Sequence, residues 1–105
     1  MHIPMTEKDV VKISRALSDP SRLRIYESIS SCYHMFCGQI VEKYNLTPGT
    51  ISHHLKILID AGLIESRREG QFIFSRALPE RLRQYSQWMA GMAGKKKSRR
   101  KSPAA

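Results

Sequence analysis

Thr47-Pro48-Gly49-Thr50-Ile51-Ser52-His53-His54-Leu55-Lys56-Ile57-Leu58-Ile59-Asp60-Ala61-Gly62 is the stretch whose reading decides the fold. Thr47 is a helix N-cap by residue type, and Pro48 at the first helical position gives up no hydrogen bond. Ile51, Leu55 and Leu58 recur at i, i+4 and i+7, so one face of the helix turns inward. Ala61-Gly62 ends it, because glycine takes the left-handed cap without steric cost. The inward stripe leaves Gly49, Thr50, Ser52, His53 and Lys56 on or beside the opposite face. His54 follows Ile51 by three residues and precedes Leu58 by four, at the edge of the apolar face, and reads as structural.

Immediately upstream, Phe36 to Tyr44 reads as a short helix with Ile40 and Val41 inward, closed by Asn45, which tolerates a left-handed backbone. Immediately downstream the period changes from helical to alternating. Leu63–Arg68 and Gln71–Arg76 flank Glu69-Gly70 as two antiparallel strands joined by a tight turn. Further out, Thr6 to Leu17 has helical spacing with Thr6 as N-cap. Asp19-Pro20 starts a second helix, with Leu23, Ile25, Tyr26 and Ile29 as its expected buried positions. Leu82, Tyr85, Trp88, Met89 and Met92 mark a last helix between Pro79 and Met92. The expectation is a mainly α fold with a two-stranded β-hairpin, ordered as four helices, two strands and a helix: a winged helix-turn-helix, whose second helix lies in the DNA major groove.

The chain is one domain's worth at 105 residues, 41% of them apolar. Residues 1–92 are expected to form that domain and 93–105 a basic disordered tail. The net charge of +9 suggests nucleic acid, yet six of the eighteen Lys and Arg fall in Lys95, Lys96, Lys97, Arg99, Arg100 and Lys101, and all nine acidic residues precede them. The charge up to Gly94 is therefore only +3. Sequence-independent nucleic-acid binding through the tail stays as a second reading of the composition. No apolar run approaches the roughly 18–20 residues of a membrane span, and Met1 to Asp9 lacks a signal-peptide plan, so the expected setting is the cytoplasm with no membrane contact. No phosphate loop, carboxylate pair or nucleophile motif appears, and an enzyme is not expected.

Ala16-Leu17-Ser18-Asp19-Pro20-Ser21-Arg22-Leu23-Arg24-Ile25 and Thr50-Ile51-Ser52-His53-His54-Leu55-Lys56-Ile57-Leu58, continuing through Ala61-Gly62-Leu63-Ile64, resemble the ArsR/SmtB family of repressors. The resemblance spans about Thr6 to Met92. It implies a homodimer built on the first and last helices, for which the candidate interface is Val10, Ile13, Leu17, Leu82, Tyr85, Trp88, Met89 and Met92. An aromatic and Met-rich face on a terminal helix agrees, since so small a domain offers few internal partners for it.

The implied partner is double-stranded operator DNA, an inverted repeat with half-sites about one helical turn apart. Thr50, Ser52 and His53 carry groups that hydrogen-bond base edges or phosphates, Gly49 shares their groove-facing side, Lys56 suits a phosphate, and Thr47, at the helix start where amide groups are free, suits a phosphate contact. At the hairpin tip Arg67, Arg68 and Gln71 are placed for the backbone or the minor groove. Arg22 and Arg24 fit either phosphate contact or a solvated face with packed stems.

The resemblance also implies sensor sites that this chain does not reproduce. Aligned on the recognition helix, the family's two third-helix cysteines fall at Phe36 and Gly38, and the last helix has neither Asp nor His at the positions of the other familiar site. Cys32, His34 and Cys37 remain, three soft or borderline ligands within six residues that suit Zn or a thiophilic metalloid. Small buried thiols and redox-active thiols are the alternatives, and no cofactor is assigned.

Overall fold

The computed structural model describes residues 4–32 and 35–94, with backbone alone for residues 35–38 and 41. Helix α1 spans Glu7–Ala16 and opens on a capping box: the Thr6 hydroxyl accepts from the Asp9 amide at 3.1 Å while the Asp9 carboxylate accepts from the Thr6 amide at 3.0 Å. Helix α2 (Pro20–Ser30) opens on Asp19, whose carboxylate accepts from the Arg22 amide. Strand β1 (Met35–Phe36) leads into α3 (Cys37–Tyr44), and α4 covers Pro48–Asp60. Strands β2 (Ile64–Glu69) and β3 (Phe72–Ala77) form the hairpin, and α5 runs from Pro79 to Gly94.

The core is a single cluster in which Ile13 and Ala16 of α1, Ile25, Tyr26 and Ile29 of α2, Ile40 of α3, Ile51, Leu55 and Leu58 of α4, and Leu63 and Ile64 meet. Every helix of the first four thus turns one stripe onto the same centre, and the sheet edge at Ile64 closes it. The stripe read from α4 is the one buried. On α2 Leu23 departs from expectation: it is 40% exposed, and Ser28 is buried in the position where a helical turn carries it inward.

Three connections depend on backbone geometry. Asn45 adopts φ 54° at the end of α3, as a short polar side chain permits. Gly62, at φ 78°, turns the chain from α4 into β2, and a Cβ there would come within 3.1 Å of the Arg81 side chain. The hairpin turn sits one residue later than expected. Glu69 pairs with Phe72, which makes Gly70-Gln71 the two turn residues, and Gly70 at φ 63° supplies the left-handed conformation at the first of them.

The sheet also has a third member. Met35 and Phe36 pair with Ser75 and Phe74, giving the antiparallel order β1-β3-β2, where the sequence suggested a hairpin alone. A two-residue strand is too short to display an alternating period, so only its pairing across the chain reveals it. Helix α5 is tied back to α1 by an Arg81–Asp9 ion pair at 2.9 Å and by a Ser14–Tyr85 hydroxyl contact at 2.8 Å.

Candidate nucleic-acid interface

The exposed face of α4 carries Gly49, Thr50, Ser52, His53 and Lys56, while Ile51, His54, Leu55 and Leu58 are buried on its other side. At its start the Thr47 hydroxyl accepts from the Thr50 amide at 3.2 Å and donates to the Thr50 hydroxyl at 2.9 Å. Thr47 is therefore spent on the cap. The Thr50 hydroxyl, having accepted, keeps its own proton to donate outward. A Cβ added at Gly49 would meet nothing within 4 Å, so the backbone of the first turn lies open to close approach. Lys56 stands 3.9 Å from Asp60 with both side chains largely solvated, a contact too weak to hold the ammonium against a phosphate.

The buried histidine fixes how this face is presented. Arg22 donates from Nε to the Ala16 carbonyl at 2.6 Å, from one terminal nitrogen to the Arg15 carbonyl at 3.3 Å, and from the other toward His54 Nδ1 at 3.1 Å. A guanidinium has no acceptor, so Nδ1 is the accepting nitrogen and the ring is neutral with its proton on Nε2. Burial holds the His54 pKa below the ordinary imidazole value; Asp19 pulls it upward, and Arg22 and His53 push it down. One side chain on α2 thereby satisfies the Ala16 carbonyl at the end of α1, adds to the donors on the Arg15 carbonyl, and pins α4 to both helices. The sequence left phosphate contact or a solvated face open for Arg22; the structure gives it an internal role that neither anticipated. Nothing in the spacing of residues 22 and 54 signals the contact.

The hairpin separates its arginines. Arg67 is opposite Phe74, lies 5.9 Å from that ring and donates to the Glu69 carboxylate at 2.9 Å. Arg68 is on the other face of β2, in the alternation that carries Ile64 into the core and Ser66 against the buried Ser75, and it makes no ion pair among the described residues. Arg68 and the exposed turn residue Gln71 are thus the available donors of the hairpin tip, and Arg67 is already engaged.

The expected subunit interface divides in the same way. Ile13 is fully buried and Val10 is 8% exposed, so both face the protomer's own core and neither offers surface to a partner. Leu17, Leu82 and Tyr85 are half-buried and pack on that core. Trp88, Met89 and Met92 remain at the surface of α5, as does Val11 of α1, which lies outside the expected interface set. Two apolar stripes on one short helix cannot be told apart by period alone.

Of Cys32, His34 and Cys37, only Cys32 has a described side chain, an exposed thiol just past the end of α2. His34 and the Cys37 side chain lie outside the described residues. Among the described residues no group of three His, Cys, Asp or Glu is placed to hold a metal ion. No helix of the described residues is long and apolar enough to cross a membrane.

Comparison with known proteins agrees with this geometry. The profile of the family described as "Bacterial regulatory protein, arsR family" matches residues 19–66. The transcriptional repressor SdpR of Bacillus subtilis is 35% identical over 83 residues, 79% of this chain and 91% of that protein. An arsenical resistance operon repressor of Staphylococcus xylosus is 36% identical over 63% of this chain and 62% of its own length. Among solved structures, an ArsR-like transcriptional regulator from Rhodococcus superposes with a TM-score of 0.75 at 23% identity, covering 84% of this chain and 82% of the other. A homodimeric winged helix-turn-helix domain from Mycobacterium bovis does so at 0.67 and 21% identity, covering 89% of each chain.

Proposed function

The chain belongs to the arsR family of bacterial regulatory proteins, and from that premise we propose that it is a repressor that binds an inverted-repeat operator as a homodimer, with α4 in the major groove. One observation carries this reading: the polar, exposed face formed by Gly49, Thr50, Ser52, His53 and Lys56 stands opposite a stripe buried in the core. A helix held so firmly on one side can lay its other side in a groove without reorganising.

In this reading Thr50, Ser52 and His53 meet base edges. Lys56 and the open first turn at Gly49 meet phosphates, and Arg68 with Gln71 reaches the backbone or minor groove beside them. Thr47 contributes by shaping the first turn, and Arg67 by packing on Phe74. Trp88, Met89 and Met92, with Val11, supply the surface on which two protomers join, setting the half-sites about one helical turn apart, roughly 10 base pairs, or a multiple of that. The proposed setting is the bacterial cytoplasm, where the operator is.

Fluorescence anisotropy and footprinting on DNA upstream of the chain's own gene test this. The expected outcome at about 150 mM salt is a protected inverted repeat, bound with a steep salt dependence and far above unrelated sequence. Binding indifferent to sequence, abolished by removal of residues 95–105, would replace this reading with tail-driven association.

A further inference from the structure

A cavity of 310 Å³ lies where the end of α2, strand β3 and the start of α5 meet, away from the exposed face of α4. Its wall includes Tyr26, Ser30, Cys32, Arg76 and Leu82. The volume is at the lower end of the roughly 300–1,000 Å³ typical of small-molecule sites. Most of the wall is hydrocarbon, and its polar groups are few and unlike one another.

Tyr26 is the unusual member. It is 4% exposed, in the middle of the core cluster, and its hydroxyl has no hydrogen-bond partner among the described residues. Burial alone pushes its phenol pKa up, with no bonded neighbour offsetting it. A buried tyrosine hydroxyl ordinarily finds a partner, because leaving the donor unmet forfeits what water gave it. The contrast with the other described tyrosines is direct: Tyr44 bonds to Ser28 and to the Arg24 carbonyl, and Tyr85 to Ser14.

Two further polar side chains of the described wall have partners. Ser30 donates to the Glu27 carbonyl, and Arg76 is paired through Nε with Glu65, which leaves that end of the cavity close to electrically neutral. An ion-paired guanidinium leaves the described wall without net charge, and an apolar wall with a buried hydroxyl donor suits a neutral molecule carrying an acceptor on an apolar body.

We propose that this cavity binds a small, neutral, mainly apolar molecule through a carbonyl-type acceptor that accepts a hydrogen bond from the Tyr26 hydroxyl, with the Cys32 thiol at its rim. A bound molecule would touch β3, which runs into the hairpin, and α5 together. Any effect on operator binding rests on the function proposed above, whereas occupancy of the cavity does not.

Occupancy is therefore measured on the full chain without DNA. Backbone amide NMR spectra are followed while small neutral ketones, esters and amides of roughly seven to ten heavy atoms, acetophenone and cyclohexanone among them, are added. The expected result is a saturable shift for at least one of them, concentrated on Ser30, Cys32, Ala77 and Leu82, with slower iodoacetamide labelling of Cys32 read by peptide mass. Tyr26→Phe keeps the ring and the fold and should weaken that binding about 3- to 10-fold, the worth of one hydrogen bond. Tyr26→Phe should also fold at least as stably as the parent. Absence of saturable shifts around the cavity across the set, or affinity unchanged in Tyr26→Phe, would overturn the assignment.

Discussion

Arg22 and His54 are thirty-two residues apart in sequence and 3.1 Å apart in space, and their contact joins the end of α1, the start of α2 and the buried side of α4. The same guanidinium reaches the Ala16 and Arg15 carbonyls, so the orientation of α4 depends on a side chain outside it. Arg22→Ala removes three side-chain hydrogen bonds and leaves partners half-buried. We expect a loss of about 2 kcal/mol in urea unfolding, with the salt slope of DNA binding by the folded protein unchanged. Arg22→Lys recovers little of it, because an ammonium cannot span the fork. A salt slope that fell in Arg22→Ala would reassign Arg22 to a phosphate.

The same contact makes stability sensitive to mild acid. His54 must be neutral to accept from Arg22, and burial holds its folded pKa below the ordinary 6.5. As pH falls the unfolded chain takes up this proton first. The contribution is complete above about pH 6.5 and declines as pH drops through the window between that value and the lower folded one. Asp19 alongside limits the shift, and Arg22 and His53 deepen it. Thermal unfolding across pH 7.5 to 5 should show this decline in the parent and in His53→Gln, and a flatter profile in His54→Gln. Asp9 and Asp19, whose carboxyls are held low chiefly by the Thr6 and Arg22 backbone amides, lose their contribution only in the more acidic range below their ordinary value.

On α4, substitutions should separate by chemistry. Ser52→Ala and His53→Ala are expected to cost about 1–3 kcal/mol on the operator and to relax preference at particular base pairs. Lys56→Ala should weaken all sequences alike and lower the salt slope by about 0.9. Anisotropy against a set of single-base operator variants distinguishes the two patterns. If Lys56→Ala changed base preference, α4 would lie in the groove rotated about its axis, with Lys56 on the bases instead of a phosphate.

The two hairpin arginines should be unequal. Arg68→Ala is expected to reduce the salt slope by about 0.9 and affinity by several-fold, whereas Arg67→Ala, which removes a charge already paired with Glu69, should do less. Equal losses from both would show that the Arg67–Glu69 pair opens on the DNA.

The apolar residues of α1 and α5 should likewise fall into two classes. Trp88→Ala with Met92→Ala is expected to weaken self-association by more than about tenfold in sedimentation while leaving the monomer folded. Ile13→Ala should instead cost about 2–5 kcal/mol of folding stability, the loss expected for a fully buried side chain. Unchanged self-association in the α5 variant would move the subunit contact elsewhere.

Much of this molecule could be read along the chain. Thr6, Asp19 and Thr47 mark three helix starts that the structure confirms as caps, and the stripe of Ile51, Leu55 and Leu58 orients α4 before any contact is known. These signals are local: a cap, a proline at the first position and a period of 3.6 act within one or two turns, so residue order alone determines them. The family followed from the same segments.

Tertiary structure decided the rest, because each remaining feature joins residues far apart. Period could not say which apolar face of α1 turns inward. The outcome placed Ile13 in the core and Val11 outside, set by where α4 and α5 lie. Strand β1 exists only through its pairing with β3, and Arg68 separates from Arg67 only through the register of the hairpin. Arg22 became an internal clasp because chain closure brought His54 to it, and Tyr26, with no hydroxyl partner among the described residues, came to line a cavity shared by α2, β3 and α5. Such contacts form only after the helices have assembled, and no local propensity encodes them.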